Sequence, residues 1–153
     1  MIPVTVIYHP KEKWSKCSLQ HLLPRDDITF LKAGPNFTFE VGSFILLHSE
    51  AAPLRPTDFG RPLLILDSSW RLLPSLERCL LGKPPRRSLP REAKTVYPRK
   101  SKIFSDPVNG LASVEALYLA RKILGYDDPT VLDGYTWKSQ FLAQRALCQK
   151  VYL

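Results

Sequence analysis

The sequence predicts an α/β protein whose strands come first and whose helices come last, and three observations carry that expectation. Leu63-Leu64-Ile65-Leu66 is an unbroken apolar run that stops abruptly at Asp67-Ser68-Ser69-Trp70, the pattern of a parallel strand buried on both faces. Shorter strand-like runs precede it, each bounded by turn residues. From Leu111 onward the apolar residues recur instead at helical spacing. Ligands of open α/β sheets sit just beyond the carboxyl ends of their strands, so Asp67 and Trp70 are expected at the mouth of a pocket.

Taken in order, Val4 to Tyr8 is a first strand closed by His9-Pro10, and Lys11 to Leu23 is a polar loop running into a short helix that Pro24 ends. Ile28 to Leu31 and Phe44 to Leu47 are further strands, separated by Gly34, Pro35, Asn36 and Gly42. Ser49 to Arg61, with Pro53 and Pro56, is a loop holding at most a turn of helix. Leu63 to Leu66 belongs in the middle of the sheet. Leu72 to Leu81 repeats apolar residues at helical spacing and stops at Gly82. Pro84, Pro85, Pro90 and Pro98 favour extended chain over helix in the next stretch, where Ala93 to Val96 has room for an edge strand. Ser113 is placed to cap a helix running to Leu124 before Gly125, and a last helix covers Trp137 to Tyr152. The division that follows is a sheet-bearing part over 1–88 and a mainly helical part over 89–153, sharing one core in a single compact unit.

The 153 residues, 44% of them hydrophobic, suffice for one good core. No apolar run is long enough to cross a bilayer, and Met1-Ile2-Pro3-Val4-Thr5 has neither the basic start nor the apolar stretch of a secretion signal. The expectation is a cytoplasmic protein with no membrane partner. Cys17, Cys79 and Cys148 are odd in number and far apart, and His9, His21 and His48 have no ligand spacing, so neither a disulfide framework nor a metal site is expected. The formal charge of +8 is concentrated: Lys83, Arg86, Arg87, Arg91, Lys94, Arg99, Lys100 and Lys102 face only Glu92 between 83 and 102. Such a stripe favours a polyanion. Without amphipathic helical spacing to suit a membrane surface, nucleic acid is preferred over lipid, with a solvated basic loop as the plain alternative.

Several short stretches, in order along nearly the whole chain, resemble one enzyme family. They are Lys16-Cys17-Ser18, Leu54-Arg55-Pro56-Thr57-Asp58, Leu66-Asp67-Ser68-Ser69-Trp70, Leu89-Pro90, Asp106-Pro107-Val108-Asn109-Gly110, Leu111 to Ala116, and Tyr135 to Leu142. Together they are similar to motifs of the ribosome-biogenesis aminocarboxypropyltransferases of small-subunit ribosomal RNA, and more distantly to the DTW-domain transferases of transfer RNA. Ser68 stands where that family has a signature cysteine. The turn at 106–110 lacks the family's tyrosine and has Asp106 for its first asparagine.

The resemblance implies a SPOUT-like, knotted, mostly parallel sheet that binds S-adenosylmethionine and transfers its 3-amino-3-carboxypropyl arm to a uridine or pseudouridine nitrogen in structured rRNA or tRNA. It implies that Leu54, Pro56, Trp70 and Leu73 line the adenine and methyl side, that backbone groups at Leu66 and Leu89 meet the ribose and the adenine edge, and that Ser18 holds the amino-acid carboxylate. Asp67 would steady the sulfonium and accept the proton of the attacking nitrogen; read alone, it serves as well to cap the Leu72 helix. Arg86, Arg87, Arg91, Lys94, Arg99, Lys100 and Lys102 would contact phosphates, which position RNA without reading its sequence. A monomer is expected. An RNA methyltransferase, or a non-catalytic RNA-binding assembly factor, are the competing functions. Trp137 and Phe141 read as core, and Glu115 as a carboxylate placed to favour a helix dipole.

Overall fold

The computed structural model describes residues 2–11, 17–69, 71–97 and 111–144. Its centre is a five-stranded sheet built from β1 (Val4–Tyr8), β2 (Ile28–Lys32), β4 (Ile45–Pro53), β5 (Leu63–Asp67) and β7 (Arg86–Ser88), in the order β2-β1-β5-β4-β7. Every ladder in it is parallel. A second, two-stranded parallel ladder joins β3 (Phe39–Glu40) to β6 (Leu80–Leu81). Three α-helices are described: α1 (Leu73–Glu77), α2 (Ser113–Ile123) and α3 (Lys138–Leu142).

The apolar run of β5 lies mid-sheet as its composition requires, because alternate side chains supply two different cores. Leu63 and Ile65 join Val4, Val6, Ile28 and Ile45 in a large cluster under α2, where Val114, Leu117 and Ala120 close it together with Phe141 of α3. Leu64 turns the other way, with Ile7, Leu46 and Leu76 of α1, and half-buried Leu66 packs against that smaller cluster. A fully buried leucine contributes about 2 kcal/mol, so a strand feeding both faces is strongly held in register. The core under α2 draws on residues from both sides of position 88.

Several expectations are corrected. The helix expected over 72–81 is limited to α1, because Leu80 and Leu81 pair with β3 and Phe39 N–H donates to Cys79 O at 2.9 Å; ladder pairing overrides a helical spacing that a turn and a short strand satisfy equally. The strand expected over Phe44 to Leu47 runs on to Pro53, its register with β7 shifting between Leu47 and Ala52. Arg86–Ser88, expected only to be extended, is an edge strand. Ala93 to Val96 is not a strand. Ala112, not Ser113, caps α2, which frees the Ser113 hydroxyl for another partner. Of the last helix, Lys138–Leu142 is helical and 143–144 are not; the remainder of the expected span lies outside the described residues.

Candidate functional site

The site begins where two neighbouring strands separate. β4 pairs with β5 only at Ile45↔Leu63 and Leu46↔Leu64, whereas β1 follows β5 to its end, Tyr8 opposite Asp67. Past Leu64, β5 therefore has no ladder partner on its β4 side among the described residues. Parting of strands at their carboxyl ends is what opens a ligand crevice in sheets of this kind.

Asp67 closes β5 with only 9% of its surface exposed. Its carboxylate is gripped from two distant parts of the chain: Cys17 Sγ donates to Oδ2 at 2.9 Å, and Ser113 Oγ donates to Oδ1 at 2.8 Å. Its carbonyl accepts from His9 N–H at 3.3 Å. Next to Cys17, the Ser18 hydroxyl accepts from Val114 N–H at 3.2 Å, serving as a long-range cap of α2. The loop at 17–18, the end of β5 and the first turn of α2 thus meet at one point, which brings Ser18 and Asp67 together. Among the described residues Asp67 accepts no hydrogen bond from the start of α1: Leu72 N–H and Leu73 N–H both donate to Ser69 O.

The other expected lining residues lie on the neighbouring elements of the sheet and on α1. Leu66 and Leu73 are half-buried, and Pro56 is the first residue of a 3-10 turn, Pro56–Asp58. Leu54 is 2% exposed and belongs to the main core, its N–H donating to Ser88 O at 2.8 Å. Leu89 follows directly, packed against the same core. Trp70 lies outside the described residues.

Of the basic residues, Arg86 is exposed and pairs with Glu77 at 3.1 Å, while Arg87 pairs with Asp58 at 3.2 Å. The Arg86 pair is solvent-exposed and so weak, whereas the Arg87 pair is half-buried. Arg91 and Lys94 are exposed. Arg99, Lys100 and Lys102 lie outside the described residues, as does the turn at 106–110.

Sequence reasoning gave no role in the site to Cys17 or Ser113, and underrated Glu115. Glu115 is completely buried, yet it accepts four hydrogen bonds, from Thr95 Oγ1 at 2.6 Å, Val96 N–H at 3.0 Å, Ala112 N–H at 2.8 Å and Tyr135 Oη at 3.0 Å. The Ala112 bond is the helix-start contact that a carboxylate three residues after a cap makes. The other three could not be read from local spacing.

Away from the site, Arg25 binds Asp27 and Asp128, each at 2.9 Å, and buried Arg121 lies 3.2 Å from Asp27. The Arg25 hydrogen bonds, assisted by Arg121 and opposed by burial, hold the Asp27 carboxyl down at about 2. Burial pushes Asp128 up, but hydrogen bonds from Thr130 and Arg25 bring it below the ordinary carboxylate value. This network ties the start of β2 to Asp128, just before the 3-10 turn Pro129–Leu132. Among the described residues no cluster of three or more His, Cys, Asp or Glu side chains is arranged to hold a metal ion, and no helix is long and apolar enough to cross a membrane.

A parallel sheet with parted central strands, and a buried carboxylate where they part, defines an α/β protein of the kind whose ligands sit at the carboxyl edge of the sheet. The chain is similar in fold to the SAM-dependent rRNA:acp-transferase Tsr3 from Vulcanisaeta distributa, with a TM-score of 0.67 and 27% sequence identity over 93% of this chain and 78% of that one. The resemblance to the rRNA aminocarboxypropyltransferases thus holds in fold as well as in motif order. No protein-family model matches the chain, and no curated protein does.

Proposed function

We propose that this protein is an enzyme that transfers the 3-amino-3-carboxypropyl arm of S-adenosylmethionine to ribosomal RNA, with a uridine or pseudouridine base nitrogen as acceptor. The observation that carries the reading is the likeness to Tsr3 over 93% of the chain. The residues present fit the sulfonium nucleotide. A buried carboxylate suits a positive sulfur, the β4 side of β5 beyond Leu64, without a ladder partner among the described residues, offers backbone groups to a ribose, half-buried Leu66 and Leu73 supply apolar wall, and the Ser18 hydroxyl sits beside the amides that open α2. S-adenosylmethionine supplies an electrophilic carbon and leaves as methylthioadenosine.

The chain's own part is placement. Cys17 and Ser113 hold the Asp67 carboxylate in place at the end of β5, so that it needs no reorganisation, and a carboxylate there can take the proton that an attacking N–H must release. Which carbon of the donor reacts is decided by alignment. With this reading go a knotted SPOUT-like chain path, action as a monomer in the cytoplasm, and a place in ribosome biogenesis, with tRNA as the second candidate substrate. The acceptor base must be unpaired for its nitrogen to be reached.

The test uses S-adenosylmethionine labelled either on the methyl group or on the carboxypropyl arm, incubated with the protein and with deproteinised small-subunit rRNA or bulk tRNA. Carboxypropyl label is expected in rRNA. Methyl label in RNA would convert the reading to a methyltransferase, and label in neither RNA would refute it.

A further inference from the structure

Within the basic stretch, residues 93–97 are held by the protein. Between 93 and 97, where the chain has no regular secondary structure, each residue is fastened. Ala93 is 1% exposed within the main core. The Lys94 backbone is gripped twice by Gln144, whose Oε1 accepts from Lys94 N–H at 2.8 Å and whose Nε2 donates to Lys94 O at 2.6 Å. Thr95 and Val96 are bound by Glu115. The Tyr97 ring stacks on Tyr135, nearly parallel at 6.5 Å, and meets Trp137 edge-on at 5.4 Å. Ordering backbone in this way costs about 1–2 kcal/mol per residue, and a stretch that needed only solvation would gain nothing from it.

Glu115 is the centre of this arrangement. It lies in the first turn of α2, two residues after Ser113, the residue that holds Asp67. One turn of helix therefore grips the carboxylate at the crevice and the segment that presents Lys94.

We propose that Glu115 is a positioning residue for the RNA: through Thr95 and Val96 it holds residues 93–97 as a fixed strap beside the Asp67 crevice, so that Lys94 and neighbouring Arg91 meet phosphates flanking the target base. This inference rests on the RNA-transferase reading. Phosphate contacts set register, and a pre-ordered strap spares the complex the entropy of ordering it on binding. The corollary is a separation of effects. Loosening the strap weakens RNA engagement while leaving the S-adenosylmethionine site, gripped by Ser113 and Cys17, as it was.

The experiment compares wild type, Glu115→Gln, Thr95→Ala and Gln144→Ala. It measures S-adenosylmethionine affinity by calorimetry, RNA affinity by anisotropy of a fluorescein-labelled small-subunit rRNA stem-loop, and KM and kcat for rRNA. Each variant should raise the RNA Kd and KM, by about tenfold for Glu115→Gln and about threefold for the two milder changes, with donor affinity and kcat within about twofold of wild type. Thr95→Ala and Gln144→Ala keep the buried carboxylate and serve if Glu115→Gln does not fold. Variants that are folded and bind RNA like wild type overturn the proposal, as does a loss confined to kcat. A wild-type protein that binds RNA but labels none would refute the transferase reading alone, and the anisotropy series would still decide the strap. A wild-type protein that binds no RNA overturns both.

Discussion

Replacing Asp67 by alanine should do two separable things, because its carboxylate is both an acceptor for two distant donors and the charge at the crevice. The structural part can be worked from the contacts. Cys17 Sγ and Ser113 Oγ would each lose their acceptor. A hydrogen bond to a charged group is worth about 1.5–3 kcal/mol, but both donors are only half-buried, so water recovers part of the loss. About 2–3 kcal/mol is the expected destabilisation for Asp67→Ala, and about 1 kcal/mol for Asp67→Asn, which keeps one acceptor oxygen. With a urea m value of about 2 kcal/mol/M, the alanine midpoint should fall by about 1–1.5 M. Pairing Asp67→Ala with Ser113→Ala should be less than additive by about 1 kcal/mol, since the same bond is removed twice. The charge part is read separately, by calorimetry with S-adenosylmethionine on Asp67→Asn under conditions where it is fully folded: affinity should drop by about tenfold or more. An alanine variant with an unchanged urea midpoint, or an asparagine variant that binds the donor as wild type does, would refute this account of the cluster.

Two further outcomes follow from the scaffold. Because Arg25 holds Asp27 near 2 in the folded protein, against 3.8 ordinarily, the folded state releases this proton more readily than the unfolded one. Its contribution of about 2 kcal/mol is present above pH ~4 and is lost as pH falls through ~2. Urea titrations across that range should show the loss in wild type and its absence in Asp27→Asn; equal pH slopes in both would contradict the network. Gly82 has φ +101°, and a Cβ there would lie 2.9 Å from Val41 Cγ2, so Gly82→Ala should cost about 1–3 kcal/mol in chemical denaturation, while an unchanged midpoint would mean that the β6–β7 turn is easily rebuilt.

The parts of this fold visible in the sequence are those whose residues carry their own signal. β5 is legible because burial on both faces leaves no polar position, and β1 and α2 because five and eleven consecutive residues give a period room to show. β6 and β7 are two and three residues long, too short for any period, and exist because β3 and β4 offer them ladders. The spacing of Leu72, Leu73, Leu76 and Leu80 fits one helix or a helical turn followed by a strand, and only the partner decides between them. Extra length in β4 is equally illegible, since Ser49, Glu50 and Pro53 look like loop, and pairing with β7 resumes after the register shift only at Ala52 and Pro53.

The site follows the same rule at longer range. That a carboxylate ends the most apolar strand is written in five consecutive residues; that Cys17 and Ser113 reach it from 50 and 46 positions away is not. The basic stretch gives the sharpest instance. Counted as sequence, its charges form one polyanion-seeking block, but in the fold they divide. Arg86 and Arg87 lie on an edge strand and already hold Glu77 and Asp58, whereas Lys94 rides on a segment fastened by Glu115 and Gln144. A net charge reports attraction, which acts at any orientation. The proposed modification of one base nitrogen requires a register, and register comes from the uncharged contacts that hold the charged residues still. Those contacts here involve a threonine hydroxyl, a glutamine amide and three aromatic rings, none of which a charge count records.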